Sequence, residues 1–322
     1  MNQTNAMAQN GKVRQVEIEA EDEGQRLDNY LIRTLKGLPK SRIYRIIRKG
    51  EVRINGKRCK PESRLSSGDI VRIPPIMRLA ERSKAVGSFK DLDSLILYED
   101  ARLLIINKPA GMAVHGGSGV RVGVIESLRA ARQEGDRLEL VHRLDRGTSG
   151  CLMVAKKRSY LRLLQDALRQ PGQIRKHYIA MVHGEWSESQ NIIDEPLLTM
   201  NKAGRERITR VSQDGKEAKT EFTLLSTDGD TSVIRAYPVT GRTHQIRVHA
   251  RWARHSILGD DRYGNPELDA ILGHSGRLLL HAAELQIPAL GDFPSVRATA
   301  PLDDEFEGKV NSRFPDINLY KQ

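Results

Sequence analysis

Residues 141–150 are Val-His-Arg-Leu-Asp-Arg-Gly-Thr-Ser-Gly, and they place a single carboxylate, that of Asp145, between two arginines. Neighbouring guanidinium groups favour the ionised form of a carboxylate and attract polyanions. Gly147 and Gly150 allow turn conformations and a close approach of the backbone to a bulky ligand. Taken alone, these ten residues are more typical of a surface ion pair or a turn cap than of a catalytic site. A catalytic role for Asp145 therefore needs support from other parts of the chain.

The composition is that of a globular protein. The chain has 322 residues, 39% of them hydrophobic, which is enough for one large core or for a core and a smaller module. With only Cys59 and Cys151 it lacks the cysteines for a disulfide framework, so we expect a reducing, cytoplasmic setting. Residues 1–12 lack the apolar core of a signal peptide, and no run approaches the roughly 20 apolar residues that span a bilayer. We therefore expect neither export nor membrane insertion.

The positive charge is concentrated in one short region. The net charge of the chain is +11, and residues 24–75 alone contain fourteen Lys or Arg against four Asp or Glu. Excess cations favour phosphate backbones because binding releases the counterions condensed on the nucleic acid. This region is therefore predicted to bind nucleic acid.

The basic region has the pattern of a small α/β module. Apolar residues at helical spacing predict a helix over 27–35 and a second one that begins with Ser41 as its N-cap and ends before Gly50. Short strands are predicted at 52–54 and 70–73, the first of them followed by an Asn-Gly hairpin signal. Two helices packed on a small sheet account for the segment.

The second helix of this module has a basic face, because its cations recur at steps of three and four residues. The order of elements resembles the S4 RNA-binding module, which we place at residues 24–75 after an extension at 1–23. A charged helix face is usually only solvated, but the charge imbalance here favours RNA binding. The residues of the module that we expect to contact RNA are Lys40, Arg42, Arg45, Lys49 and Arg53.

The remainder of the chain predicts a large α+β domain. Residues 76–93 are polar and charged without a clear period and predict a linker. From 94 to 322, predicted strands outnumber helices and do not alternate with them, which favours a mainly antiparallel mixed sheet flanked by helices over a doubly wound fold. The predicted strands are 103–106, 151–155, 174–183, 219–225, 232–237 and 277–285, and the predicted helices are 120–132, 158–169 and 243–254.

Three further segments support a catalytic role for Asp145. Residues 107–115 are Asn-Lys-Pro-Ala-Gly-Met-Ala-Val-His, residues 175–182 are Arg-Lys-His-Tyr-Ile-Ala-Met-Val, and residues 241–249 are Gly-Arg-Thr-His-Gln-Ile-Arg-Val-His. With residues 141–150, they resemble the four signatures of the RluA-type family of RNA pseudouridine synthases. The resemblance covers nearly the whole chain and implies the pseudouridine synthase fold behind the S4-like module.

The resemblance also implies a reaction, the isomerisation of uridine within RNA, and a substrate, the large-subunit (23S) ribosomal RNA. The N-glycosidic bond breaks, the uracil turns, and the ribose is rejoined at C5. Nothing is oxidised, reduced or hydrolysed, so no cofactor or metal is expected. Asp145 would attack the anomeric carbon or uracil C6, or would remove a ribose proton to give a glycal. The sequence leaves these three alternatives open.

Roles for other residues follow from the same resemblance. Tyr178 would stack on the target base near C5, Ile246 would pack against the uracil, and Arg247 would pair with Asp145. Arg143 would fill the space that a flipped uridine leaves in the RNA stack, because a planar guanidinium replaces part of the lost stacking. Lys108 is expected to contact a phosphate.

Other functions remain as alternatives. His244 and His249 are five residues apart and match no metal-ligand pattern, so we expect no metal site. The alternatives are a non-catalytic S4-type RNA-binding or ribosome-assembly factor, a synthase that acts on tRNA, and an RNA glycosylase or nuclease. A nuclease usually needs clustered carboxylates for metal ions, which these segments do not supply. We expect the protein to be a monomer.

Overall fold

The computed structural model describes residues 13–35, 38, 40–75, 92–116, 122–201, 207–274 and 276–320, without the side chains of residues 40, 41 and 201. The chain divides into two units, Met1–Ala85 and Val86–Gln322. Most of the predicted linker, residues 76–91, lies outside the described residues. Within the described ranges, none of the helices has the length and apolar character that crossing a bilayer requires.

The first unit packs two helices against a four-stranded antiparallel sheet, as the sequence predicts. Its elements are β1 (Arg14–Glu17), α1 (Leu27–Thr34), α2 (Lys40–Arg48), β2 (Arg53–Ile54), β3 (Lys57–Arg58) and β4 (Ile70–Ile73). The strand order is β1-β4-β2-β3. Leu31 of α1, Ile43 and Ile47 of α2, and Val71 and Ile73 of β4 share one buried core. The apolar spacing of both helices therefore faces the sheet.

Two local predictions for this unit are wrong. Helix α2 begins at Lys40, so Ser41 lies inside the helix rather than at its N-cap. Residues 14–23, predicted as part of an extension, contribute strand β1 and the buried side chain of Ile18 to the module. The sequence of β1 is Arg-Gln-Val-Glu, and most of its side chains are exposed at the sheet edge. Such a strand has no apolar alternation from which it could be predicted.

The second unit is built on a ten-stranded sheet among the described residues. Its strands are β5 (Ile96–Glu99), β6 (Leu103–Lys108), β7 (Glu139–Leu140), β8 (Ser149–Ala155), β9 (Arg175–His183), β10 (Ile192–Asp194), β11 (Leu197–Asn201), β12 (Arg207–Val211), β13 (Lys219–Thr227), β14 (Thr231–Pro238), β15 (Leu280–Ile287) and β16 (Val296–Thr299). Its helices are α3 (Val124–Ala131), α4 (Arg158–Arg169), α5 (Gln245–Trp252), α6 (Pro266–Ile271) and α7 (Asp304–Asn311).

The sheet is mixed and mainly antiparallel, which confirms the predicted α+β class. Its strand order is β10-β13-β14-β9-β15-β8-β6-β5, with β7 beside β8 and β16 beside β15. Of the described pairings, only β8 with β15 is parallel. Strands β11 and β12 form a separate hairpin. The four sequence signatures lie in or next to β6, β8, β9 and β14, which together with β15 are five neighbouring strands of the sheet.

Both faces of this sheet are covered. Along β9, Tyr178 and Ala180 enter the larger core, whereas Ile179 and Met181 enter a second core. Such alternation follows from the two-residue period of a strand. The second core includes Phe306 from α7, a helix in a part of the chain for which the sequence offered no prediction.

The parallel pair of strands is fixed by a glycine and a buried histidine. Gly150 has a φ of +105°, and an added Cβ would lie 2.3 Å from the carbonyl oxygen of Ala282, so no other residue fits there. His281 Nε2 lies 3.1 Å from the Ala300 carbonyl oxygen and Nδ1 lies 2.7 Å from Ser149 Oγ. Since a carbonyl only accepts, Nε2 donates to it, and the neutral ring accepts the Ser149 hydroxyl at Nδ1.

We expect this histidine to make stability depend on pH. Burial lowers the pKa of His281 to about 4. The unfolded chain therefore binds the extra proton first, and the favourable contribution of neutral His281 is lost as pH falls from about 6.5 towards 4. His281→Gln should reduce the slope of the unfolding free energy against pH by up to about 1.4 kcal/mol per pH unit in this window. Urea denaturation at several pH values measures the slope, and an unchanged slope would contradict the assignment.

Candidate active site

A cavity of about 330 Å³ opens between the 141–148 loop, strand β9 and the start of helix α5. This volume is at the lower end of the range for small-molecule and nucleotide sites. Three of the four sequence signatures line it, and the fourth, residues 107–115, does not. The predicted site residues that line the cavity are Arg143, Asp145, Tyr178, Ile246 and Arg247.

The fourth signature instead holds the loop that contains Asp145. Lys108 is fully buried at the end of β6, and its Nζ donates to the carbonyl oxygens of Pro109 and Met112, both at 2.8 Å, and of Arg146 at 3.3 Å. Arg146 Nε in turn donates to the Gly111 carbonyl at 2.8 Å. The predicted phosphate contact of Lys108 is therefore wrong, because its ammonium group is enclosed by carbonyls and cannot reach a ligand.

The carboxylate of Asp145 is partly exposed, with 23% of its side chain accessible. Arg247 Nη1 lies 3.5 Å and His244 Nε2 lies 3.8 Å from its Oδ2 atom. Neither arginine beside it in the sequence forms an ion pair with it, since Arg146 donates to the Gly111 carbonyl and Arg143 is exposed at the cavity. The cation that faces Asp145 is therefore Arg247, as predicted, and its distance is that of a loose ion pair.

Arg247 is itself held by two acidic residues that the sequence did not indicate. Its Nε and Nη2 atoms donate to the two oxygens of Asp260 at 2.8 and 2.5 Å, and Nη2 also donates to Asp261 at 3.0 Å. Burial opposes the charge of Arg247, but the hydrogen bonds and charge of Asp260 outweigh it and raise the pKa of Arg247 above its usual range. The bidentate pair fixes the guanidinium plane and leaves Nη1 for Asp145.

His244 is the second group that faces Asp145. It precedes α5 with a φ of 55°, a left-handed conformation that costs a residue other than glycine about 1 kcal/mol or more. Its Nδ1 lies 2.7 Å from the hydroxyl of Tyr263, which accepts the backbone N–H of Thr209 at 3.0 Å. We therefore assign the Tyr263 hydroxyl as the donor and His244 Nδ1 as the acceptor, which places the ring proton on Nε2, on the side of Asp145. Burial lowers the pKa of His244, although the charge of Asp145 acts in the opposite direction.

Two further histidines of the signatures, His142 and His249, have structural partners. His142 Nε2 accepts the N–H of Met153 at 3.1 Å, and His249 contacts Thr220 Oγ1 at 2.8 Å. In the described part of the chain, His, Cys, Asp and Glu side chains form no group of three or more suited to a metal ion.

Tyr178 and Ile246 are part of the apolar lining of the cavity. Both side chains are buried, at 9% and 6% relative exposure, although they come from a strand and a helix that are distant in the sequence. Burial, together with the charge of Asp145, raises the pKa of Tyr178 above its usual value. Its hydroxyl therefore stays protonated near neutral pH and presents a neutral aromatic face to a ligand.

Comparison with known proteins identifies the family and the N-terminal domain. Residues 102–252 match the model of a family described as RNA pseudouridylate synthase, and residues 25–71 match the S4 domain. The chain is 52% identical to ribosomal large subunit pseudouridine synthase C of Escherichia coli O157:H7, over 91% of this chain and 94% of that protein. The chain belongs to the RNA pseudouridine synthase family. The same-named protein of Haemophilus influenzae is 46% identical to this synthase over 95% of the chain and 97% of its own length.

Solved structures share the fold of this pseudouridine synthase. Human RNA pseudouridylate synthase domain containing 4 has a TM-score of 0.57 and 26% identity, over 68% of this chain and 93% of its own. Human RNA pseudouridylate synthase domain containing 1 has a TM-score of 0.53, 26% identity, and covers 66% of this chain and 86% of its own. The family resemblance drawn from the four signatures is therefore confirmed. The synthase is an RNA-modifying isomerase with an S4 domain.

Proposed function

We propose that this synthase converts uridines of the large-subunit (23S) ribosomal RNA into pseudouridine in the cytoplasm, as a monomer and without metal or cofactor. The observation that supports the chemistry is the geometry at Asp145, a partly exposed carboxylate that faces a fixed guanidinium in an aromatic-lined cavity. The names of the relatives support the substrate. A tRNA substrate is the alternative that remains from the sequence.

In this proposal the reaction conserves every atom of the uridine. The bond between ribose C1′ and uracil N1 breaks, a bond between C1′ and C5 forms, the C5 proton leaves, and N1 gains a proton. Asp145 starts the reaction by attack at C1′ or C6, or by removal of a ribose proton. Arg247 orients the carboxylate, Tyr178 and Ile246 hold the base, and Arg143 occupies the vacated place in the RNA stack.

The substrate is tested with unmodified transcripts of the large-subunit rRNA, the small-subunit rRNA and tRNA, each incubated with the purified synthase. We expect pseudouridine at a small set of uridines in the large-subunit transcript alone, mapped at single-nucleotide resolution. Modification of tRNA instead would overturn the proposed substrate while leaving the reaction intact.

The basic face of α2 is proposed as the RNA contact of the S4 domain. Arg42 and Arg45 of α2, and Lys49 directly after its end, form no side-chain hydrogen bond or ion pair with any described residue, so their charges are free for phosphates. Arg53 is exposed as well, but it donates to the carbonyls of Gly50 and Gly56 in the hairpin, so part of its donor capacity is already used. The side chain of Lys40 lies outside the described residues, and its contact stays a prediction.

Reversing two of these charges should weaken RNA binding. Arg42→Glu with Arg45→Glu is expected to raise the Kd for rRNA fragments by at least about tenfold at moderate salt. The slope of log Kd against log salt should fall by the amount expected for the loss of about two phosphate contacts. Filter binding over a range of salt concentrations measures both quantities. Arg14→Glu with Lys60→Glu changes the net charge equally outside α2 and should have a smaller effect. Equal effects of the two pairs would show that α2 has no special role.

A further inference from the structure

Lys176 is a cation of the active-site cavity that the proposed mechanism does not use. It lies in β9 two residues before Tyr178, and side chains at this spacing lie on the same face of a strand, about 7 Å apart. Both line the cavity with Asp145. The neighbouring Arg175, on the opposite face of β9, lines a different cavity.

The ammonium group of Lys176 has no hydrogen bond or ion pair within the described ranges of the chain. Arg247, which lines the same cavity, contrasts with it, since three carboxylates lie within 4 Å of its guanidinium. Burial lowers the pKa of Lys176. Burial and the charge of Lys176 together lower the pKa of His142 to about 3, so this neighbouring ring stays neutral and the local charge is positive.

A partly desolvated cation without an anion is unfavourable, and proteins usually place such a group where a ligand supplies the missing charge. A uracil carbonyl would accept a hydrogen bond from the ammonium group but would not neutralise it. A backbone phosphate does both, and every nucleotide that enters the cavity brings a phosphate on each side.

We propose that Lys176 binds a backbone phosphate next to the target uridine. This inference rests on the proposed function, because it requires RNA in the cavity. The contact would place the flipped nucleotide along β9, with its phosphate at Lys176 and its base at Tyr178. Lysine suits this role as a compact charge at the end of a flexible chain.

The test combines protein variants with RNA in which single phosphates are neutral. The substrate is the shortest RNA that the wild-type synthase modifies, with a methylphosphonate at one linkage at a time around the target. We expect the methylphosphonate at one particular linkage to raise the KM of the wild type by about tenfold or more. Lys176→Met should raise KM for the natural RNA by a similar factor and should be insensitive to that linkage. Lys176→Arg should keep most of the wild-type sensitivity.

Two controls separate the possible failures. Arg175→Met removes one charge from the same strand outside the cavity and should keep the wild-type response to every linkage. Lys176→Gln provides a second neutral side chain if Met disturbs the cavity. A wild type that modifies no RNA would overturn the proposed function itself. If every methylphosphonate raises KM by the same factor in the wild type, in Lys176→Met and in Lys176→Gln, the phosphate contact is wrong while the proposed function stands.

Discussion

Asp145→Asn should leave the protein folded and able to bind RNA, but should lower the rate of pseudouridine formation by roughly four orders of magnitude. The amide has nearly the shape of the carboxylate but is neither a nucleophile nor a base. The fold does not depend on the charge, because Asp145 is partly exposed and its ion pairs with Arg247 and His244 are long, at 3.5 and 3.8 Å. Release of tritium from C5 of labelled uridine under single-turnover conditions measures the rate.

Asp261→Asn is a matched control for this variant. Its carboxylate contacts Arg247 Nη2 at 3.0 Å, but 80% of its side chain is exposed and it does not line the cavity. Exposed ion pairs contribute little, so we expect the rate to fall by less than about tenfold. Tritium release by Asp145→Asn at the rate of this control would contradict the catalytic role of Asp145.

Arg247→Met should lower kcat by about a thousandfold and the free energy of unfolding by about 3 kcal/mol. Two effects combine in this variant. The carboxylate of Asp145 loses the group that orients it, and the buried carboxylate of Asp260 loses its bidentate partner. Single-turnover rates and urea denaturation measure the two quantities separately.

Arg247→Lys separates the charge from the geometry. Lysine restores a cation for Asp260, so most of the lost stability should return. A single ammonium group cannot hold Asp260 through two parallel hydrogen bonds and also face Asp145, so kcat should remain at least about tenfold below that of the wild type. Full recovery of kcat in Arg247→Lys would show that orientation by the guanidinium fork is not needed.

The residues that face the cavity were largely predictable, because each lies in one of the signatures that carry the family resemblance. Tyr178 lies in a strand that the apolar run Tyr-Ile-Ala-Met-Val at 178–182 predicts. Asp260 and Tyr263, which hold Arg247 and His244, were not predictable. They occur in the turn Gly-Asp-Asp-Arg-Tyr-Gly at 259–264, whose composition is typical of a solvent-exposed loop.

Lys108 shows why side-chain burial is harder to predict than position. It follows a run of apolar residues and precedes a proline, which is equally typical of an exposed turn lysine. Its burial depends on three carbonyls, one of which belongs to Arg146, 38 residues further along the chain. The residues around Lys108 in the sequence therefore do not predict that contact.

The fold was predictable where the periodicity was strong. Helix α4 has the predicted bounds, Arg158–Arg169, because its apolar residues form a clear stripe. Strands β10, β11, β12 and β16 were missed since they have only three to five residues each. Helix α7 was missed because Phe306 and Val310 are its only buried residues. Their burial depends on packing against strands that are distant in the sequence.

The most direct test of catalysis at Asp145 is a map of pseudouridine in 23S rRNA from cells in which the gene for this synthase is replaced by its Asp145→Asn form. We expect a fixed set of uridines to be modified in wild-type cells and all of them to be unmodified in the variant, at equal protein levels. The same uridines modified in both strains would contradict catalysis at Asp145.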